Sequence, residues 1–98
     1  MHRKVIVGTF EWDPEKEVYN LHKHRVDFET AARAFLDPLR LLIHDAKHSR
    51  LEPRYFCLGK VDGTVVTVRF TWSGNRIRII GAGVWRKERK IYEEKNKA

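Results

Sequence analysis

Two dipeptides, Asp62-Gly63 and Ser73-Gly74, divide the second half of this chain into three runs of alternating apolar and polar residues, a pattern best met by an antiparallel meander. Both dipeptides are typical of tight hairpins, whose two-residue turns need residues that tolerate positive φ. The runs are Arg54 to Val61, Thr64 to Trp72, and Asn75 to about Gly81, and a further strand is expected over Leu39 to His44. Two-residue turns fix the pairing. Across the first turn Arg54 faces Thr71 and Phe56 faces Arg69. Across the second, Trp72 faces Asn75, Thr71 faces Arg76, Phe70 faces Ile77, Arg69 faces Arg78 and Val68 faces Ile79. Alternation then gathers Tyr55, Cys57, Val66, Val68, Phe70, Ile77 and Ile79 on one face as the core side, and Arg54, Arg69, Arg76 and Arg78 on the other.

The first half reads as helical. Asp13 is a helix cap followed by Pro14 at the first helical position, with Glu15 and Glu17 favourably placed against the helix dipole, so a helix is expected from about Pro14 to His24. Asp27 caps a second helix with Phe28, Ala31, Ala32 and Phe35 as its apolar stripe, and Asp37-Pro38 stops it. Phe10-Glu11-Trp12 is a short extended piece, residues 45–53 form a polar loop, and Arg86 to Glu94 is a terminal helix. The fold expected is a single α+β domain over residues 1–98. Two N-terminal helices pack on one face of an antiparallel meander, and a C-terminal helix follows.

Composition narrows the function. With 42% hydrophobic and 11% aromatic residues the chain can build one core and is not a disordered tail. No run of about 18 apolar residues could span a bilayer, and Val5-Ile6-Val7 is too short for the apolar region of a signal peptide, so a cytoplasmic protein without membrane contact is expected. The single cysteine, Cys57, excludes an internal disulfide and reads as a small buried hydrophobe. The net charge of +7 is uneven. Residues 1–46 carry seven Lys/Arg against eight Asp/Glu, residues 47–75 five against two, and residues 76–98 eight against three. A cationic second half suits a polyanion or an acidic protein.

The arginine face carries the chemistry. An Arg69/Arg78 pair beside Arg54 and Arg76 costs on the order of half a kcal/mol in like-charge repulsion. It calls either for a bound phosphate or for a solvated face balanced by Glu52. Nearby in sequence lie His48 and Glu52 in the polar loop and Lys23-His24 at the end of the first helix. Metal-independent RNA cleavage needs a base for the 2′-OH, cations for the pentavalent phosphorane and a donor for the leaving 5′-oxygen, and these residue types supply all three. Each also has a structural reading: Lys23 and His24 as cations at a helix C-terminus, His48 as a loop residue, Glu52 as the partner of Arg54. His22 and His24 point to different helix faces and there is no Cys pair, so no metal or other cofactor is expected. Trp12, Trp72 and Trp85 read either as base-stacking groups or as core and rim aromatics.

The order Phe10-Glu11-Trp12-Asp13-Pro14-Glu15-Lys16, Asn20, Lys23-His24, Val26, Phe28-Glu29, Ala31, Phe35, Asp37-Pro38, Glu52, Arg54, Gly59, Thr71, Arg78-Ile79-Ile80, Glu88-Arg89 and Tyr92 resembles the BrnT family of toxins over almost the whole chain. The resemblance implies a fold similar to RelE-type ribonucleases and RNA cleavage without a metal. It also implies neutralisation by a BrnA-like ribbon-helix-helix antitoxin, through which alone the complex would touch DNA. Its implied catalytic set falls on Lys23, His24, Glu52, Arg54 and Arg78. Beside that set, the basic face and the polar loop give Arg69, Arg76, Arg86 and His48 as candidates for holding RNA. Where the family pattern reads Arg-Ile-Ile-Ser-Ala-Arg, this chain has Arg78-Ile79-Ile80-Gly81-Ala82-Gly83, and Arg86 is the candidate to replace the second arginine. The competing readings are a catalytically inactive module that acts as corepressor with the antitoxin, and a small RNA-binding protein.

Overall fold

A computed structural model describes residues 3–97. The strands are β1 (Val5–Val7), β2 (Phe10–Trp12), β3 (Leu41–His44), β4 (Tyr55–Val61), β5 (Thr64–Ser73) and β6 (Arg76–Gly83). The helices are α1 (Pro14–His24), α2 (Phe28–Arg33) and α3 (Arg86–Lys95), with short 3₁₀ turns at Ala34–Leu36 and Ala46–His48. The six strands form one sheet in the order β1-β2-β6-β5-β4-β3. The expected antiparallel meander is its larger part. The sheet as a whole is mixed, because β2 runs parallel to β6 with Phe10 beside Ile77 and Glu11 beside Arg78. The helices therefore do not both precede the sheet, since the β1-β2 hairpin comes before them.

Local chemistry starts each helix as expected. The Asp13 carboxylate accepts from the Glu15 N–H at 2.8 Å, and that of Asp27 from the Thr30 N–H at 2.7 Å. Arg25, at φ 61°, ends α1 with a left-handed residue. The stripe of α2 buries Phe28 and Ala31, then tightens into the 3₁₀ turn that buries Ala34 before Asp37-Pro38.

From Tyr55 to Val61 the β4-β5 register matches the expectation, with Phe56 opposite Arg69 and Val61 opposite Thr64. Asp62 and Gly63 both take positive φ, 49° and 84°, the backbone of a type I′ turn. The second hairpin differs. Ser73 pairs with Arg76, Trp72 with Ile77, Thr71 with Arg78 and Phe70 with Ile79, so the turn residues are Gly74-Asn75. Gly74 at φ 59° supplies the positive φ that the first position of a type II′ turn needs, which explains the displacement. A bulge between Phe70 and Arg69 shifts the register again, placing Arg69 opposite Gly81 and Val68 opposite Ala82. The expected Arg69/Arg78 pair does not form.

The displacement preserves parity, so the core side is as expected. Cys57, Val66, Val68, Phe70 and Ile79 are buried with Trp12, Phe28, Ala31 and Ala34, while Tyr55 and Ile77 pack against them. Burial pushes the Cys57 thiol up to about 12, which leaves it an uncharged core group. The opposite face is partly covered. There Tyr92 of α3 is buried with Leu58 and Val65, and Phe56, Leu41 and Ile43 pack against that cluster. The Tyr92 hydroxyl donates to Asp37 at 2.5 Å, and the Lys60 N–H donates to the same carboxylate oxygen at 2.7 Å. Burial alone would raise the Asp37 pKa, but these hydrogen bonds hold it below its ordinary value.

Candidate active site

Beyond α3 the second sheet face lies open, and its side chains come in rows set by the pairing. The first row runs from Thr71 to Arg78 and then Glu11 of β2, and Arg54 immediately precedes β4, whose first residue Tyr55 pairs with Phe70. Thr71 is buried and its hydroxyl donates to the Pro53 carbonyl at 2.6 Å, which ties the polar loop to the sheet. The Arg54 N–H donates to the Ser49 hydroxyl at 2.9 Å, and its guanidinium lies 3.4 Å from Glu52. Arg78 is held more firmly. Its Nε donates to Oε2 of Glu11 at 2.8 Å, its Nη2 lies 2.6 Å from the same oxygen as an ion pair, and Nη2 donates to the Ser73 hydroxyl at 3.2 Å. Glu11 is 1% exposed, with Lys4 3.6 Å from its other oxygen. Burial would push its carboxyl up, but Arg78, aided by Lys4 and Ser73, holds it below its ordinary value. Arg78 is thus a rigidly oriented guanidinium whose charge is largely balanced from below.

The second row, past the bulge, is Phe56, Arg69 and Gly81. A β-carbon on Gly81 would sit 3.3 Å from Arg69 Nη2 and 3.4 Å from Asn20 Oδ1, so the guanidinium rests against bare backbone beside α1. This row opens into a cleft of about 350 Å³ between α1, the sheet and the start of α3, lined by His24, Arg69, Thr67, Trp85 and Glu88 among others. His24, in the last turn of α1, meets the Trp85 ring edge-on at 5.1 Å and 70°. The Trp85 indole fills the space that a β-carbon on Gly83 would need. Gly81 and Gly83 therefore make room for Arg69 and Trp85 respectively.

Among the sequence candidates, His24 and Arg69 share the cleft, Arg78 belongs to the row beside it, and Arg54 and Glu52 lie at the entry to β4. The remaining candidates stand apart. The Lys23 ammonium lies 5.6 Å from the Tyr19 ring, two exposed residues of α1. Arg76 is exposed at the second turn, and Arg86 is exposed at the start of α3, where Trp85 and Glu88 rather than Arg86 line the cleft. The His48 ring lies 2.9 Å from the buried Asp45 carboxylate, within its own loop. Trp12 is a core residue, whereas Trp72 and Trp85 are 54% and 36% exposed. Sequence reasoning assigned no role to Glu11, Thr67 or Glu88. A carboxylate in a three-residue strand gives no periodic signal, and Glu88 reads as an ordinary surface residue of a charged helix. Among the described residues no three of His, Cys, Asp and Glu come together as a metal-binding group.

The model of the family described as "Ribonuclease toxin, BrnT, of type II toxin-antitoxin system" matches residues 12–88, a span that includes α1, the meander and both sides of the cleft. The chain belongs to the BrnT family. Membership makes it a ribonuclease toxin of a type II toxin–antitoxin system, for which an antitoxin protein is the partner and RNA the target. No curated protein matched the sequence. The BrnT match starts at Trp12 and so leaves out Glu11, the residue that orients Arg78. No helix among the described residues is long and apolar enough to cross a membrane.

Proposed function

We propose that this BrnT protein cleaves RNA without a metal ion, at the sheet face that carries Arg54, Arg69 and Arg78. The 2′-oxygen attacks the adjacent phosphorus and gives its proton to a base. The bond to the 5′-oxygen breaks, and that oxygen takes a proton, leaving a 2′,3′-cyclic phosphate and a 5′-hydroxyl. The guanidinium groups of Arg54, at the entry to β4, and Arg78, in β6, are suited to the phosphorane, because they donate in a planar fork to paired oxygens from a rigid sheet, while Arg69 is a contact for the RNA within the cleft. His24, at the rim of the cleft, and Glu52, beside Arg54, are the groups for proton transfer. Lys23, Arg76, Arg86 and His48 stand away from this centre and would serve at most as outlying contacts for the RNA backbone. The observation that carries the reading is the sharing of one cleft by His24 and Arg69, next to the Thr71–Arg78 row.

A layout of helices against an antiparallel β4-β5-β6 meander supports likening the fold to RelE-type ribonucleases. The partner proposed is a BrnA-like ribbon-helix-helix antitoxin that covers the cationic face, with DNA contacted only through it. A corepressor without catalytic activity is the second reading, favoured by one observation: Trp85 leaves no room for a side chain at position 83, where the family pattern has arginine. Against it stands Arg69, which brings a guanidinium to the adjacent row over Gly81. End analysis of a short RNA incubated with the purified protein and EDTA separates the two. Fragments ending in 2′,3′-cyclic phosphate support cleavage, and intact RNA supports the corepressor.

A further inference from the structure

We propose that the cleft beneath Trp85 is a nucleobase subsite, and that the base it takes is guanine. The proposal rests on the RNA-cleaving reading and names the substrate preference of the same face. Its walls are aromatic: the Trp85 indole, 36% exposed and backed by Gly83, and the partly buried ring of Phe56. A flat heterocycle gains stacking from such walls whatever its identity. The polar groups supply the discrimination.

Arg69 presents a guanidinium from above Gly81, and Glu88 presents a carboxylate from the first turn of α3. Glu88 has no ion-pair partner among the described residues. Guanine carries two adjacent donors, N1–H and N2–H, that match a carboxylate, and two adjacent acceptors, O6 and N7, that match a guanidinium. Adenine lacks the paired donors, and neither pyrimidine carries both edges. Asn20 does no reading, because its amide is consumed by Ala82 and Val26 and serves to shape the wall.

A second, independent observation lies at the floor. Thr67 is 1% exposed, lines the cleft, and has the one buried side-chain polar atom among the described residues without a hydrogen-bond partner. An orphaned buried hydroxyl is costly unless something occupies it, and a polar heterocycle settling into the cleft would give Thr67 its partner.

Calorimetric titration of the folded protein with 5′-GMP, 5′-AMP, 5′-CMP and 5′-UMP tests this, since the four share ribose and phosphate and differ only in the base. The expected result is binding of 5′-GMP about tenfold tighter than the others, lost in Glu88→Ala and weakened in Thr67→Val. Thr67→Val removes the orphaned hydroxyl and should leave thermal stability unchanged or higher, so weaker binding there reports on the ligand. Four equal affinities, no binding, or an undiminished preference in Glu88→Ala would overturn the proposal. Cleavage assays on the same preparations keep the two readings apart. A guanine preference with intact RNA retains the subsite and removes the nuclease, and cleavage without any base preference does the reverse.

Discussion

Asn20 hydrogen-bonds to both backbone groups of Ala82: its Nδ2 donates to the carbonyl at 2.9 Å and its Oδ1 accepts from the N–H at 3.1 Å. One side chain of α1 thus takes the place of a strand along the edge of β6, which β2 accompanies only as far as Glu11 beside Arg78. The same Nδ2 also donates to the Val26 carbonyl at 2.9 Å. This clamp fixes the last turn of α1, and with it His24, over the cleft.

Replacing Asn20 by Ala strands three buried backbone groups. At about 1–2 kcal/mol for each unsatisfied group, less what water recovers, the loss should be about 2–4 kcal/mol. Asn20→Asp should cost at least as much, because a carboxylate cannot donate to either carbonyl. Urea denaturation of both variants checks this, and a change under about 0.5 kcal/mol would show that the clamp contributes nothing.

The Glu11–Arg78 pair sets an acid limit on stability. Both Glu11 and Asp37 have folded-state pKa values below their ordinary 4.5 and 3.8, so the unfolded chain binds protons first as pH falls. Their stabilisation is complete above about pH 4.5 and is lost progressively below it, as the pH drops toward the depressed values. Glu11→Gln should lower the melting temperature at pH 7 and flatten its fall between pH 5 and about 3. An unchanged acid slope in Glu11→Gln would contradict the assignment.

The pair also changes which arginine is a usable probe. An exposed arginine face would let Arg78→Ala fold normally, but here the substitution leaves Glu11 buried without its counter-charge. Breaking a buried pair costs about 3–5 kcal/mol, and about 2–3 is expected because the guanidinium is half exposed. Arg54→Ala, whose Glu52 partner lies at 3.4 Å on the surface, should cost under about 1 kcal/mol. Paired thermal melts of the two variants distinguish them.

Much of this was legible in the sequence because it follows from local chemistry. Asp13 and Asp27 read as caps, the Phe28–Ala31–Phe35 stripe read as a buried face, and Asp62-Gly63 set the β4-β5 register residue by residue. What was not legible depended on distant parts of the chain. Three residues, Phe10 to Trp12, are too few to show a period or to announce a parallel partner 67 residues away. The Phe70/Arg69 bulge, which turns Arg69 toward His24 and away from Arg78, leaves no mark in the alternation of β5 itself. The packing of α3 through Tyr92 hid the far end of the second face, and so created a cleft where a flat surface was expected.

The antitoxin contact should carry the signature of the cationic face. Pull-down of the tagged protein from its native host should recover a small co-encoded protein, and the complex should weaken as salt rises from 0.1 to about 1 M, where the screening length falls to about 3 Å. Recovery of no such partner, or an affinity indifferent to salt, would contradict charge-driven covering of that face.

The most direct test is the rate at which purified protein cuts a single-stranded RNA in EDTA, compared among wild type, Arg54→Ala, Arg69→Ala and His24→Ala, each shown by circular dichroism to be folded. Wild type should cleave at an undiminished rate after metal removal. Arg54→Ala should fall about a hundredfold to a thousandfold, the usual consequence of losing one donor to a developing oxyanion. Arg69→Ala should fall through loss of its RNA contact in the cleft, and His24→Ala should fall about a hundredfold or more through loss of a proton-transfer group. Folded wild-type protein that leaves RNA intact, or arginine variants as active as wild type, would contradict catalysis at this face.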